Sequence, residues 1–174
     1  MTIEWLASAW SAGAWRHWLT DRGSLTHRLR SRCARFNVER LRQDVGRPHG
    51  DECAALALPY GRNAVIREVL LKNADTPLVF AHSIIPLAGL EGPWSGLTGL
   101  GNRPLGAALF SDPRIGRHAL EFKRVDRRHP LYRAAARHDP APPRALWARR
   151  SLFSLSDHAI LVTEVFLPAT LLLR

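Results

Sequence analysis

Two ionisable side chains stand where apolar ones belong. In the segment Asn63–Asn73, alternation puts Val65, Arg67, Val69 and Leu71 on one face of an extended strand, with Ile66, Glu68 and Leu70 on the other. In Ala159–Leu167 the same alternation groups Ile160, Val162, Glu164 and Phe166. Arg67 and Glu164 each interrupt an apolar face. A charge in that position needs a counter-ion, a ligand or the loss of its charge, because stripping an ion of water is costly. Three outcomes stay open: an Arg67–Glu164 salt bridge, a face that meets solvent after all, or an apolar pocket. In the pocket, an arginine grips a carboxylate at one end and a glutamate stands at the other. A glutamate desolvated in this way has a raised pKa and can donate a proton to a hydroxyl or carbonyl oxygen.

Other reactive residue types give less. Arg149 and Arg150 are adjacent, so one points to each face of a strand; a solvent-facing pair is expected, with contact to a second ligand carboxylate as the alternative. His82 reads as a satisfied histidine of the core or surface. Ser83, Ser151 and Ser154 lack a G-x-S-x-G context, which argues against a serine hydrolase. Cys33 and Cys53 have neither C-x-x-C nor Cys/His spacing, so no disulfide framework and no zinc site is expected, and a reducing compartment is the default. The start, Met1-Thr2-Ile3-Glu4-Trp5, has an early acid and no basic stretch before an apolar one, so no secretory signal is expected. No apolar run is long enough for a membrane span.

The elements that must position these residues change character along the chain. Trp5, Trp10, Trp15 and Trp18 recur at roughly helical spacing, broken by Ser11-Ala12-Gly13, and read as a core-packing stripe. Ser24 is a good N-cap for a second helix with Leu25, Leu29 and Cys33 on one stripe, so the N-terminus is a helical pair ending near Ala34. Beyond it the period becomes two. A strand starts at Phe36 and Val38 and ends at Gly46-Arg47-Pro48. Asn63–Asn73 and Leu78–Ile85 form a hairpin around Asn73–Pro77. Ala119–Val125 is a strand, and Trp147–Leu155 with Ala159–Leu167 forms a second hairpin. Residues 86–106 are rich in proline and glycine, with helix expected at Pro104–Phe110. Helices first and hairpins after them predict an α+β fold with a mostly antiparallel sheet.

Charge is the unusual feature of the composition. Among 174 residues, 25 are basic and 15 acidic, a net charge of +10, and only Lys72 and Lys123 among the basic residues are not arginine. Most of the excess lies between Asp112 and Arg150, and Asp126–Pro143 reads as a solvated basic connection between strands. A nucleic-acid surface would be more convincing with interleaved aromatics or a helix-turn-helix, RNP or zinc-finger pattern, and the sequence has none.

Four blocks carry a resemblance. Ile66–Leu71, Ile84-Ile85-Pro86, Arg103–Phe110 and Leu161–Ala169, in that order and with Trp147-Ala-Arg-Arg before the last, are similar to chorismate pyruvate-lyase, the bacterial enzyme that makes 4-hydroxybenzoate for ubiquinone biosynthesis. The similarity runs from about Trp18 to Pro168. It implies one domain over 1–174: a helical lid region (1–34), then a sheet with inserted helices (35–168). In that fold an antiparallel sheet of about six strands carries helical flaps over an internal ligand cavity. It implies elimination of pyruvate from chorismate by a carbon–oxygen lyase. Aromatisation supplies the driving force, and no cofactor or metal is implied.

Residue by residue, the resemblance gives Arg67 the role of binding a ligand carboxylate and Glu164 that of facing the ring hydroxyl. Leu105 is a position whose backbone meets the ligand, beside a permissive Gly106. Leu25 is a lid contact where a methionine is familiar. The implied partners are chorismate and 4-hydroxybenzoate alone, with no nucleic acid and no stable membrane insertion, in a cytoplasmic monomer. Two rivals remain: a non-catalytic aromatic-acid-binding module of the same fold, as in effector domains of some transcriptional regulators, and a basic nucleic-acid-binding protein supported by net charge only.

Overall fold

The computed structural model describes residues 4–173. Residues 1–3 and 174, the ends of the expected 1–174 domain and the start of its 1–34 lid region, lie outside the described residues. A 3-10 turn at Trp10–Trp15, broken at Gly13, leads into α1 (Arg16–Leu19). Then follow α2 (Leu25–Arg30), β1 (Phe36–Gly46), α3 (Gly50–Ala55), β2 (Ala64–Asn73) and β3 (Thr76–Pro86). Next come α4 (Leu87–Leu90), α5 (Leu105–Ser111), β4 (Gly116–Arg117), β5 (Glu121–Asp126) and α6 (Pro130–Ala136). β6 (Ala145–Leu155) and β7 (His158–Phe166) follow, with 3-10 turns at Ser95–Leu100 before α5 and at Pro168–Leu172 after β7.

All strand pairs are antiparallel. The order is β1-β2-β3-β7-β6, and β4 and β5 both pair with β6, β4 at the Phe153–Ser154 end and β5 along Ala145–Arg150. The fold is therefore α+β, with seven strands where about six were expected; the addition is the two-residue β4. β1 is an edge strand. Its register slips between Arg40 and Arg42, so Leu41 is an extra residue bulging from the ladder. The β5 edge is covered by the N-terminal segment, where Leu6 and Phe122 exchange two backbone hydrogen bonds of 2.8 Å.

Both faces of the sheet are covered. On one face, Val69, Leu71, Val79 and Phe166 pack with Trp18, Leu19, Leu25 and Leu29 of the N-terminal helices. Farther along the same face, Val65, Ile85, Phe153 and Ile160 pack with Leu105 and Leu109 of α5. On the other, Leu70, Phe80, Val125 and Val165 pack against Leu131, Tyr132 and Ala135 of α6, and Ile66 and Ile84 lie under α3.

The tryptophan stripe divides. Trp18 is buried and Trp15 meets Phe166, but Trp10 is 77% exposed and Trp5 lies on the far face beside Arg150. The break at Gly13 parts Trp10 from Trp15 and Trp18, and Trp5 lies before the turn, in the segment that pairs with β5 through Leu6. The connection Asp126–Pro143 is not all loop. His129 caps α6 by accepting from the Leu131 N–H, Pro130 occupies the first turn, and the Arg127, Arg128, Arg133 and Arg137 side chains face solvent.

Candidate ligand cavity

Arg67 lies on an inner strand, between β1 and β3, and is 1% exposed. Nη1 donates to Gln43 Oε1 and to the Gly101 carbonyl, both at 3.0 Å, and Nη2 donates to the Arg103 carbonyl at 2.8 Å. Gly101 turns through φ +57, ψ −123, a conformation open to glycine and strained for other residues, and this turn presents the two carbonyls. Carbonyls satisfy hydrogens but do not neutralise charge. Among the described residues no carboxylate comes within 4.0 Å of this guanidinium. Burial, then the nearby Arg40 charge, lowers its pKa from the ordinary arginine value. The salt-bridge and solvent-facing outcomes are thus both excluded, and the cation faces a cavity.

Glu164 lies on β7 opposite Ala81 of β3 and Arg149 of β6. It is not isolated among apolar side chains. Arg149 Nε donates to its Oε2 at 2.5 Å, forming an ion pair. Arg149 is fully buried rather than solvent-facing, and its Nη1 donates to the carbonyls of Trp18, Leu19 and Asp21 at 3.0, 3.2 and 2.7 Å. One guanidinium therefore fastens the end of α1 to the cavity floor. Arg150, on the opposite face, is also buried; it pairs with Glu121 at 2.7 Å and stacks on Trp5. The expectation of a solvent-facing pair fails because this strand is covered on both sides.

Two helical flaps close over the floor. Ser24 caps α2 by accepting from the His27 N–H, placing Leu25 and Thr26 in the first turn. Pro104 precedes α5, placing Leu105 and Gly106 in its first turn. A Cβ on Gly106 would stand 3.1 Å from Thr26 Oγ1, so the lack of a side chain lets the flaps meet. Beneath them lies a narrow cavity of about 40 Å³, with Arg67, Glu164, Leu25 and Leu105 all in its lining. Arg67 and Glu164 are separated by β3 and offset by two residues along the strands, about 12 Å between backbones. Apolar walls with the Arg67 cation at one end and the Glu164 carboxylate toward the other suit a flat carboxylic acid with a polar group opposite. Arg117 also lines the space and escaped the sequence reading: β4 is too short to show a period, and the Arg-rich stretch around it hides one member.

The far face holds a separate polar cluster. His82, 2% exposed, places Nε2 at 3.1 Å from Glu52 Oε1 and Nδ1 at 3.0 Å from Glu68 Oε1, while His49 Nδ1 is 3.2 Å from Glu52 Oε2. Burial opposes the His82 charge, but the two carboxylates outweigh it and push its pKa up to about 9. For Glu52 burial is likewise outweighed, by His49 and His82, and its carboxyl is held well below the usual range. His49, Glu52 and His82 are the described residues with metal-ligand spacing, their ligand atoms lying within 4.8 Å of one another. His82 shared between two carboxylates already balances much of this charge, as an ion-pair network does.

Residues 4–174 match the family described as chorismate lyase. The chain belongs to the chorismate lyase family. Among its relatives, a probable chorismate pyruvate-lyase of Thiobacillus denitrificans is 52% identical over 168 residues, covering 96% of this chain and 90% of that protein. One of Aromatoleum aromaticum is 54% identical over 158 residues, covering 90% and 85%. The chorismate lyase fold is shared more widely. The ligand-binding domain of a putative GntR-family regulator from Bordetella bronchiseptica aligns with TM-score 0.53 at 18% identity, over 78% of this chain and 86% of that one. A GntR-family regulator from Bacillus cereus aligns with TM-score 0.56 at 11% identity, over 79% and 94%. At those identities the likeness is one of fold alone.

Proposed function

We propose that this chain is a chorismate pyruvate-lyase that converts chorismate to 4-hydroxybenzoate and pyruvate. The observation that carries the reading is the buried Arg67 cation, with no carboxylate near it among the described residues, facing a cavity whose other end holds Glu164. In this reading Arg67 binds the ring carboxylate through its remaining N–H groups. Leu25 and Leu105 press on the ring from the two flaps, the Leu105 backbone meeting the ligand. Glu164, ion-paired with Arg149, accepts a hydrogen bond from the ring hydroxyl. The ether C–O bond to the ring breaks, the neighbouring hydroxyl-bearing carbon gives up its hydrogen, and the enolpyruvyl methylene takes one up to become the pyruvate methyl. Atoms balance within the substrate, and the ring gains aromaticity. The chain's task is to hold this geometry and exclude water. The ion pair favours this route over one in which Glu164 donates a proton.

The reading treats 1–174 as one working unit, residues 1–34 serving as a lid. It extends to a cytoplasmic monomer whose partners are substrate and product, without nucleic acid. No helix among the described residues is long and apolar enough to cross a membrane. The test is incubation with chorismate, following 4-hydroxybenzoate by absorbance and pyruvate by a coupled assay. Equimolar appearance of both is expected. Tight 4-hydroxybenzoate binding without turnover would instead assign a binding module, a real alternative because regulator domains share the fold.

A further inference from the structure

Arg117 is a second arginine of the same cavity, and the roles assigned above leave it unused. It belongs to β4, opposite Phe153 at one end of β6. Its guanidinium lies 5.3 Å from the ring centroid of Phe153 and 5.4 Å from that of Phe110, an aromatic slot between floor and flap. Nη1 donates to the carbonyls of Arg22 and Gly23, at 2.7 and 3.3 Å, in the turn before α2. Its Nε is buried and has no hydrogen-bond partner among the described residues. An unmade hydrogen bond from a buried, charged donor is costly. β4 pairs with β6, the neighbour of the Glu164 strand β7 on the side away from Arg67, which puts Arg117 toward the Glu164 end of the cavity.

The substrate's chemistry supplies what this donor lacks. Chorismate carries two carboxylates, one on the ring and one on the enolpyruvyl ether. The ether oxygen is on the ring carbon next to the hydroxyl-bearing one. If the ring carboxylate lies at Arg67 and the hydroxyl at Glu164, the second carboxylate projects near the Glu164 end. We propose that Arg117 forms the subsite for this second carboxylate, the one that departs with pyruvate, donating to it through Nε. The proposal rests on the lyase reading above and adds a specificity element to it. Arg117 contacts substrate and not 4-hydroxybenzoate, so the cavity distinguishes the dianion that enters from the monoanion that remains.

The experiment compares wild type, Arg117→Gln and Arg117→Lys. Steady-state kinetics on chorismate are set beside direct titration with 4-hydroxybenzoate. The expected result is a fall of about tenfold or more in kcat/KM for Arg117→Gln, the scale of one lost charge-assisted hydrogen bond, with a smaller fall for Arg117→Lys. The 4-hydroxybenzoate Kd should stay within about threefold of wild type. Equal losses for substrate and product would overturn the proposal, because they would show Arg117 acting only as a tie to the Arg22–Gly23 turn. Unchanged kinetics would overturn it too. A second measurement uses wild type alone: titration with 3-(carboxymethoxy)-4-hydroxybenzoate and with its side-chain methyl ester. The free acid should bind about tenfold more tightly, and equal affinities would refute the subsite even if a variant fails to fold. A wild-type protein that leaves chorismate intact would refute the lyase reading, while the acid–ester comparison would still judge the subsite.

Discussion

Arg67 and Glu164 differ in what removal would cost. Arg67 holds a charge that no carboxylate among the described residues answers, so Arg67→Ala should chiefly lose ligand. A bidentate, charge-assisted contact is worth about 2–3 kcal/mol, and the 4-hydroxybenzoate Kd should rise by roughly a hundredfold in calorimetric titration. Glu164→Gln should lower kcat more than it raises KM, since it alters the group facing the reacting end. Arg149→Met should act on the fold. It leaves Glu164 without its cation and three carbonyls at the end of α1 without a donor, and urea denaturation should show a loss of about 3–5 kcal/mol. Strand alternation alone made Arg67 and Glu164 visible, because each breaks a run of apolar neighbours. Arg149 and Arg150 defeated the same method. In a strand covered on both faces, alternation no longer separates inside from outside, and only tertiary partners show why two adjacent cations are buried.

The hairpins and the capped helix α2 were legible because period-two patterns and a serine cap are local signals. α3 and α6 were not. Each begins at a histidine rather than at a common capping residue, and neither is long enough to show a stripe. The fastening of α3 to the sheet is itself titratable. His82 is raised from 6.5 to about 9, so its stabilising contribution is complete below about 6.5 and fades as pH rises through 9. Glu68 is lowered from 4.5, chiefly by its hydrogen bond to His82, and Glu52 from the same value, so their contribution is complete above about 4.5 and fades toward acid. Unfolding free energy should be greatest between those limits and fall between pH 6.5 and 9.5. His82→Gln, which cannot carry that charge, should flatten the alkaline limb. A wild-type profile without that limb would show that α3 is held by apolar contacts alone.

At the scale of the molecule, net charge first suggested nucleic acid, but the exposed arginines around α6 lie on the face opposite the cavity, and the arginines of the cavity are buried (Arg67) or half-buried (Arg117). The overall field of +10 still favours encounter with a dianion. Raising ionic strength from about 0.02 to 0.5 M should lower kcat/KM several-fold while leaving kcat nearly constant, since screening acts on encounter. A flat response would confine electrostatics to the buried cations. The bulge at Leu41 carries a different consequence. An open sheet edge is a template on which a second chain can lay down a strand and begin a polymer. The extra residue breaks the even spacing of donors and acceptors that an incoming strand would have to match, and Arg40, Arg42 and Asp44 beside it add charge to the rim. Deleting Leu41 restores the regular ladder Arg40–Val69, Arg42–Glu68, and should promote stacking edge to edge, with light scattering rising with concentration above that of wild type.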